Sequence, residues 1–179
     1  MSAVTFRSAR RPAAEGTEYS RALAQNDRRA ARLGWSPLPK PPGRRLAVLA
    51  CMDSRLTVEE ILDLRTGDAH IIRNAGGIVT DDVIRSLIVS QHLLGTDEIL
   101  VIAHTRCGLI DADETALRDR LSRETGQRLD IAFGAFSDLE ASVRASLGRL
   151  RANPWLRPGP VHGLIFDVAT GRLHEVVDP

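Results

Sequence analysis

Short apolar runs bounded by turn residues alternate along most of the chain with segments whose apolar positions recur at helical spacing. The runs "LAVLA" at 46–50 and "EILVIA" at 98–103 have the length and continuity of strands buried on both faces. "AHIIRN" reads as a further strand, and "VHGLIFDVATGRLHEVV" as two strand-like halves around "ATG", which is hairpin chemistry. Between them, Thr57 and Glu60 stand at capping-box spacing, predicting a helix from Thr57 whose apolar face is Val58, Ile61, Leu62 and Leu64. Thr80, Asp81 and Asp82 open a second helix with Val83, Ile84, Leu87, Ile88 and Leu94 at helical spacing, ended by Gly95. "DADETALRDRLSRETG" predicts a charged surface helix. Residues 137–151 predict an amphipathic one, with Ser137 and Glu140 as a capping box, Leu139, Val143, Leu147 and Leu150 as the buried face, and Pro154 as the stop. Strands alternating with helices give an α/β fold: a mostly parallel central β-sheet flanked by helices, with a C-terminal hairpin.

The first 43 residues lack this pattern. Residues 17–33 are helix-permissive with a thin stripe of Tyr19, Leu23 and Ala30 and Gly34 as a C-terminal cap, and "WSPLPKPPG" follows as an extended connector. We therefore expect an N-terminal arm over residues 1–43 and one α/β domain over residues 44–179.

Composition changes this picture little. The chain of 179 residues is 43% hydrophobic and 26% charged, and 24 basic against 23 acidic residues leave a formal charge of +1. That balance gives no footprint for nucleic acid, and apolar runs this short do not span a bilayer. No apolar leader segment opens the chain, so a cytoplasmic location is expected. With two cysteines in a domain of this size, metal binding or catalysis is a better reading than a disulfide.

The cysteines fall at informative places. Cys51 follows "LAVLA", His104 follows "ILVIA", and Cys107 lies three residues beyond His104. Ligand sites in open parallel sheets form beyond the carboxyl ends of strands, so neighbouring strands would bring all three to one edge. Two thiolates and an imidazole suit Zn2+, one per chain, and leave one tetrahedral position open, as catalytic zinc requires. Asp53 and Arg55, at alternate positions after Cys51, are expected to extend along one face with it: a carboxylate for the metal or its water, and a bidentate arginine to orient it. Each feature taken singly is more often packing or a surface pair; their coincidence after the two most strand-like runs points to a site.

"CMDSR" at 51–55 and "HTRC" at 104–107 resemble the C-x-D-x-R and H-x-x-C motifs of the β-class carbonic anhydrases. "HIIRNAGG" at 70–77, "SLIVSQHLLGTDEILVIAHTRCG" and "DVATGRL" are similar to further segments of that family, and the likeness covers about residues 44 to 178. The resemblance implies a zinc enzyme interconverting carbon dioxide and bicarbonate by attack of zinc-bound hydroxide. It makes Cys51, His104 and Cys107 the ligands and Asp53 with Arg55 the dyad, Asp53 taking the fourth zinc position in a closed state and releasing it in an open one. It also implies Asn74, Ala75 and Gly76 as pocket wall, and a homodimer or higher homo-oligomer with the N-terminal helix lying across the neighbour. Ala103 and Leu109 stand where many members carry glycine, which motivates a carbonyl sulfide or carbon disulfide hydrolase as an alternative. A non-catalytic zinc or bicarbonate-binding module is a third reading. His70, His92, His162 and His174 are the candidates for moving protons out of the site, though for each a surface or core role is the stronger expectation.

Overall fold

The computed structural model describes residues 16–33 and 37–177, and the chain divides into two compact units, residues 1–38 and 39–179. In the first, the described element is α1, Glu18–Leu33. Thr17 precedes it, and its hydroxyl accepts the Ser20 main-chain N–H at 3.2 Å, occupying one of the donors a helix start leaves open. Gly34, expected to cap this helix, lies outside the described residues.

The second unit is built on five strands: β1 Leu46–Cys51, β2 Ala69–Asn74, β3 Glu98–His104, β4 Val161–Asp167 and β5 Arg172–Val176. They lie in the order β2-β1-β3-β4-β5, with the first three pairings parallel and β4–β5 antiparallel. The expected sheet and closing hairpin are both present. β1 sits inside the sheet with all six residues buried, which is why its sequence is continuously apolar.

The sheet has two packed faces. On one, Ala47, Leu49, Ile99, Val101 and Ala103 meet α3 (Asp81–His92) through Val83 and Leu87, and α5 (Leu139–Arg151) through Val143, Leu147 and Leu150. Each fully buried aliphatic side chain of this kind contributes about 1.5–3 kcal/mol. On the other, Val48, Ala50, Ile102 and Phe166 pack under Leu56 and Val58, with Leu109, Ile110 and Phe136 from loops. α4, Glu114–Thr125, buries no residue and is the charged surface helix its sequence predicts, capped by Asp113 at its start and by Gly126 in the left-handed conformation at its end. Among the described residues no helix is long and apolar enough to cross a membrane.

Three local expectations are corrected. The helix from Thr57 is a single turn, α2 (Val58–Ile61), because the Thr57 hydroxyl donates to the Glu60 carboxylate at 2.9 Å instead of capping a main-chain N–H, and Asp63 turns left-handed just beyond. α5 is capped by Asp138, whose carboxylate accepts the Ala141 N–H, not by Ser137: a carboxylate one residue later carries charge toward the positive helix end. α3 begins at the expected Thr80 cap but ends at His92, before Gly95.

Candidate metal centre

Parallel pairing of β1 with β3, in a register that sets Ala50 beside Ile102, brings the last residues of both strands to one sheet edge. Cys51 is the final residue of β1, and His104, expected just past its strand, is the final residue of β3. From His104 a tight turn returns to Cys107; Arg106 within it has φ +55°, in the left-handed region where non-glycine residues are uncommon. Cys51, His104 and Cys107 are all buried, and their ligand atoms lie within 4.8 Å of one another.

The chemistry of this trio is one that could hold a metal ion. The two thiol sulfurs are 4.0 Å apart. Tetrahedral zinc with Zn–S bonds of about 2.3 Å holds two thiolates about 3.8 Å apart, so the observed spacing fits. His104 Nδ1 lies 2.9 Å from the Thr105 carbonyl oxygen, an acceptor, which puts the ring proton on Nδ1 and leaves a lone pair on Nε2. That Nε2 is buried and has no hydrogen-bond partner. An orphaned acceptor facing two thiols is costly unless a cation occupies the space between them. Burial pushes the His104 pKa down, in the direction that favours the neutral ring, against the Thr105 hydrogen bond. Burial likewise pushes the Cys107 thiol up, against the Leu109 main-chain N–H, which favours the thiolate. A bound cation reverses the penalty on the thiols by supplying the missing positive charge.

Asp53 and Arg55 meet, though not as expected. The strand does not continue past Cys51; the Leu56 N–H donates to the Asp53 carbonyl at 3.1 Å, closing a turn. Within that turn, Arg55 donates to Asp53 Oδ1 from its main-chain N–H (3.0 Å) and from Nε (2.8 Å), and to Oδ2 from Nη2 (2.8 Å). An aspartate accepting a main-chain N–H two residues on is a local turn device, and it replaces the extended alternation that the spacing suggested. Side-chain hydrogen bonds from Arg55, then its main-chain N–H, hold the Asp53 carboxyl well below the usual carboxylate range. Arg55 Nη2 also reaches the Arg106 carbonyl at 3.0 Å, tying this turn to the one that carries Cys107. Asp53 Oδ2 is 3.8 Å from His104 Nε2, so the carboxylate stands beside the ring nitrogen that faces the thiols.

The 74–77 segment packs beneath. The Asn74 side chain donates to the Ile78 carbonyl and accepts its N–H, clamping a short turn over Ala75–Gly77. Gly77, with φ +63°, is the residue pressed against the strand ends: a Cβ there would sit 2.8 Å from the Cys51 nitrogen and 3.1 Å from the Ile102 oxygen. Gly76 faces the tip of Leu109 instead. The glycines of this segment are expected to allow close backbone approach, and Gly77 is where it occurs; sequence reasoning passed over Arg73, whose guanidinium reaches the Cys51–Asp53 main chain.

The four remaining histidines lie elsewhere. His70 pairs with Ala47, four residues before the Asn74–Cys51 pair, about 13 Å along the strand, and its Nδ1 is 2.8 Å from the Ser90 hydroxyl. His92 bonds the Trp155 carbonyl, His162 sits between Glu98 and Glu175, and His174 is on the edge strand β5.

The chain is similar to known proteins throughout this region. A sequence model of the family described as carbonic anhydrase matches residues 46–131. β-Carbonic anhydrase 1 of Mycobacterium tuberculosis is 46% identical over 141 residues, 78% of this chain and 86% of the relative. A carbon disulfide hydrolase of Acidithiobacillus thiooxidans is 36% identical over 154 residues, covering 74% of this chain and 77% of that one. Among solved structures, a carbonic anhydrase from Streptococcus mutans superposes with a TM-score of 0.85 at 41% identity, covering 90% of this chain and 98% of its own.

Proposed function

The chain belongs to the β-class carbonic anhydrase family, and from that membership we propose that it catalyses the reversible, zinc-dependent hydration of carbon dioxide to bicarbonate and a proton. The observation that carries this reading is the buried, unpartnered His104 Nε2 facing the Cys51 and Cys107 sulfurs. Those three residues would hold the metal. Bound there, zinc supplies Lewis acidity that brings the deprotonation of water into the physiological pH range.

The rest is done by the chain's own groups. Asp53 stays ionised at working pH because Arg55 and its own turn hold its proton affinity low. With its charge compensated by Arg55 at both oxygens, Asp53 is a weak competitor for the metal and a fixed hydrogen-bond acceptor for the water that reacts. This supports the open state of the site. Thr105 fixes the His104 ring, and Arg55 couples the two ligand-bearing turns through the Arg106 carbonyl. Asn74, Ala75 and Gly76 belong to this reading as the supporting wall, and residues 44–179 as the catalytic domain, with residues 1–43 as an arm.

We read the working protein as a cytoplasmic homodimer or larger homo-oligomer. The exposed Val89, Leu93 and Trp155 offer an apolar surface of the kind a second copy covers, and light scattering on the purified protein measures the assembly.

The test is stopped-flow carbon dioxide hydration against pH on protein of known zinc content. Activity that rises with pH at about one zinc per chain is the expected result. Full zinc with no hydration across the neutral range overturns the proposal. A second reading, carbon disulfide or carbonyl sulfide hydrolysis at the same site, is favoured by the 36% identity to a carbon disulfide hydrolase. Sulfide release far outpacing carbon dioxide hydration selects it.

A further inference from the structure

Arg73 lies on the edge strand β2, paired with Ala50 and one residue before Asn74. Among the described residues it forms no ion pair with a carboxylate, and its guanidinium is committed to main chain. Nε donates to the Cys51 carbonyl at 3.0 Å and Nη2 to the Asp53 carbonyl at 2.6 Å. A side-on fork of this kind is the geometry arginine usually offers a carboxylate. Here its two acceptors are the carbonyls either side of Met52.

Main-chain bonds to the segment it grips are few: the Asp53 carbonyl also accepts the Leu56 N–H at 3.1 Å. The Met52 N–H makes a bond to the Asn74 carbonyl at 2.8 Å, and past it the chain has left the sheet. The Met52 side chain is 66% exposed and provides no packing anchor. Yet this short stretch must aim the Cys51 sulfur inward and set the Asp53 carboxylate within 3.8 Å of His104. Arg55 orients the Asp53 carboxylate from its side-chain end and closes the following turn through its main-chain N–H, but none of these bonds reaches the Cys51–Met52 backbone.

We propose that Arg73 is a positioning residue of the metal centre: its fork holds the Cys51–Asp53 backbone so that a metal ligand and the acceptor carboxylate converge on one point. The inference rests on Cys51, His104 and Cys107 being zinc ligands, and it adds a second arginine, acting through main chain, to the Asp53–Arg55 pair. Charge alone does not serve this role. Lysine keeps the positive charge and a long stem but presents one compact ammonium, which cannot grip two carbonyls in a fixed plane.

The experiment compares the full-length parent with Arg73→Lys and Arg73→Met. Three quantities are read besides carbon dioxide hydration: zinc affinity by competition with a chromophoric chelator, the thiolate-to-cobalt charge-transfer absorbance of the cobalt(II)-substituted protein, and thermal melting. Arg73→Lys is expected to melt like the parent, to bind zinc about tenfold more weakly, and to show a displaced cobalt band. Its kcat falls while KM is nearly unchanged. Arg73→Met shows the same changes, larger; should it not fold, Arg73→Lys carries the test alone. Unchanged affinity and an unchanged cobalt band in Arg73→Lys overturn the proposal, and a lowered melting temperature with both unchanged overturns it in favour of a purely structural role. Failure of the underlying zinc reading is seen separately, as weak zinc binding by the parent itself.

Discussion

Replacing Gly77 by alanine tests whether the strand ends and the 75–77 turn are packed to backbone contact at the edge that carries Cys51 and His104. Two costs apply. The residue has φ +63°, and an L side chain in that region costs about 1–2 kcal/mol. The added methyl would lie 2.8 Å from the Cys51 nitrogen, 3.1 Å from the Ala50 carbonyl carbon and 3.1 Å from the Ile102 oxygen. All three are main-chain atoms of β1 and β3, so relief requires moving strands instead of rotating a side chain, an overpacking cost of about 1–3 kcal/mol. The combined expectation is about 3 kcal/mol, or a fall of about 6–12 °C in melting temperature for a domain of this size. Gly76→Ala is the internal control. It shares a positive φ of 80°, but its methyl would meet the Leu109 Cδ1 at 2.9 Å, the end of a flexible side chain that can turn away, so about half the loss is expected. The assay is thermal unfolding by circular dichroism, with both variants at one protein concentration and saturating zinc, because ligand and association shift apparent stability. A Gly77→Ala protein that melts no lower than Gly76→Ala refutes the reasoning.

Further outcomes follow from the same geometry. The Asp53 pKa is depressed in the folded state, so the stability it contributes is full above its unfolded value, near 3.9, and is lost only as pH falls through the lower folded value. Carbon-13 NMR of the Asp53 carboxyl is therefore expected to show no protonation above about pH 4, and in Arg55→Lys, which loses the bidentate bonds, its titration moves upward. Stripping zinc with a chelator is expected to abolish activity and lower the melting temperature, with both restored by zinc; persistence of full activity in metal-free protein contradicts the site assignment. Because the Cys51 and Cys107 sulfurs are free and 4.0 Å apart, metal-free protein exposed to air is expected to form a Cys51–Cys107 disulfide that zinc prevents. Mass spectrometry after thiol alkylation checks this, and equal alkylation of both forms counts against it.

Much of the architecture was legible in residue patterns. Continuous apolar runs marked β1 and β3, and Gly171 with its neighbours marked the β4–β5 turn. The errors were at element ends, where one hydrogen bond decides. Nothing in "FSDLE" distinguishes Ser137 from Asp138 as the cap of α5, and Thr57 has the cap spacing but gives its hydroxyl to Glu60. Such choices depend on which acceptor the folded backbone places within reach.

The sequence by itself determined the donor set. Two thiols and an imidazole stand directly at or after apolar runs, with Asp53 and Arg55 two residues apart, and residue type fixes what chemistry these groups can do. Only the tertiary structure decided that they converge. The parallel β1–β3 register brings Cys51 and His104 to one edge, across 53 residues of chain, and the left-handed Arg106 returns Cys107 to them. It also decided which main-chain groups Arg73 and Gly77 meet, and that the Thr105 carbonyl meets the His104 ring. The sequence does not mark which carbonyl or strand end the fold brings within reach because every residue has the same backbone.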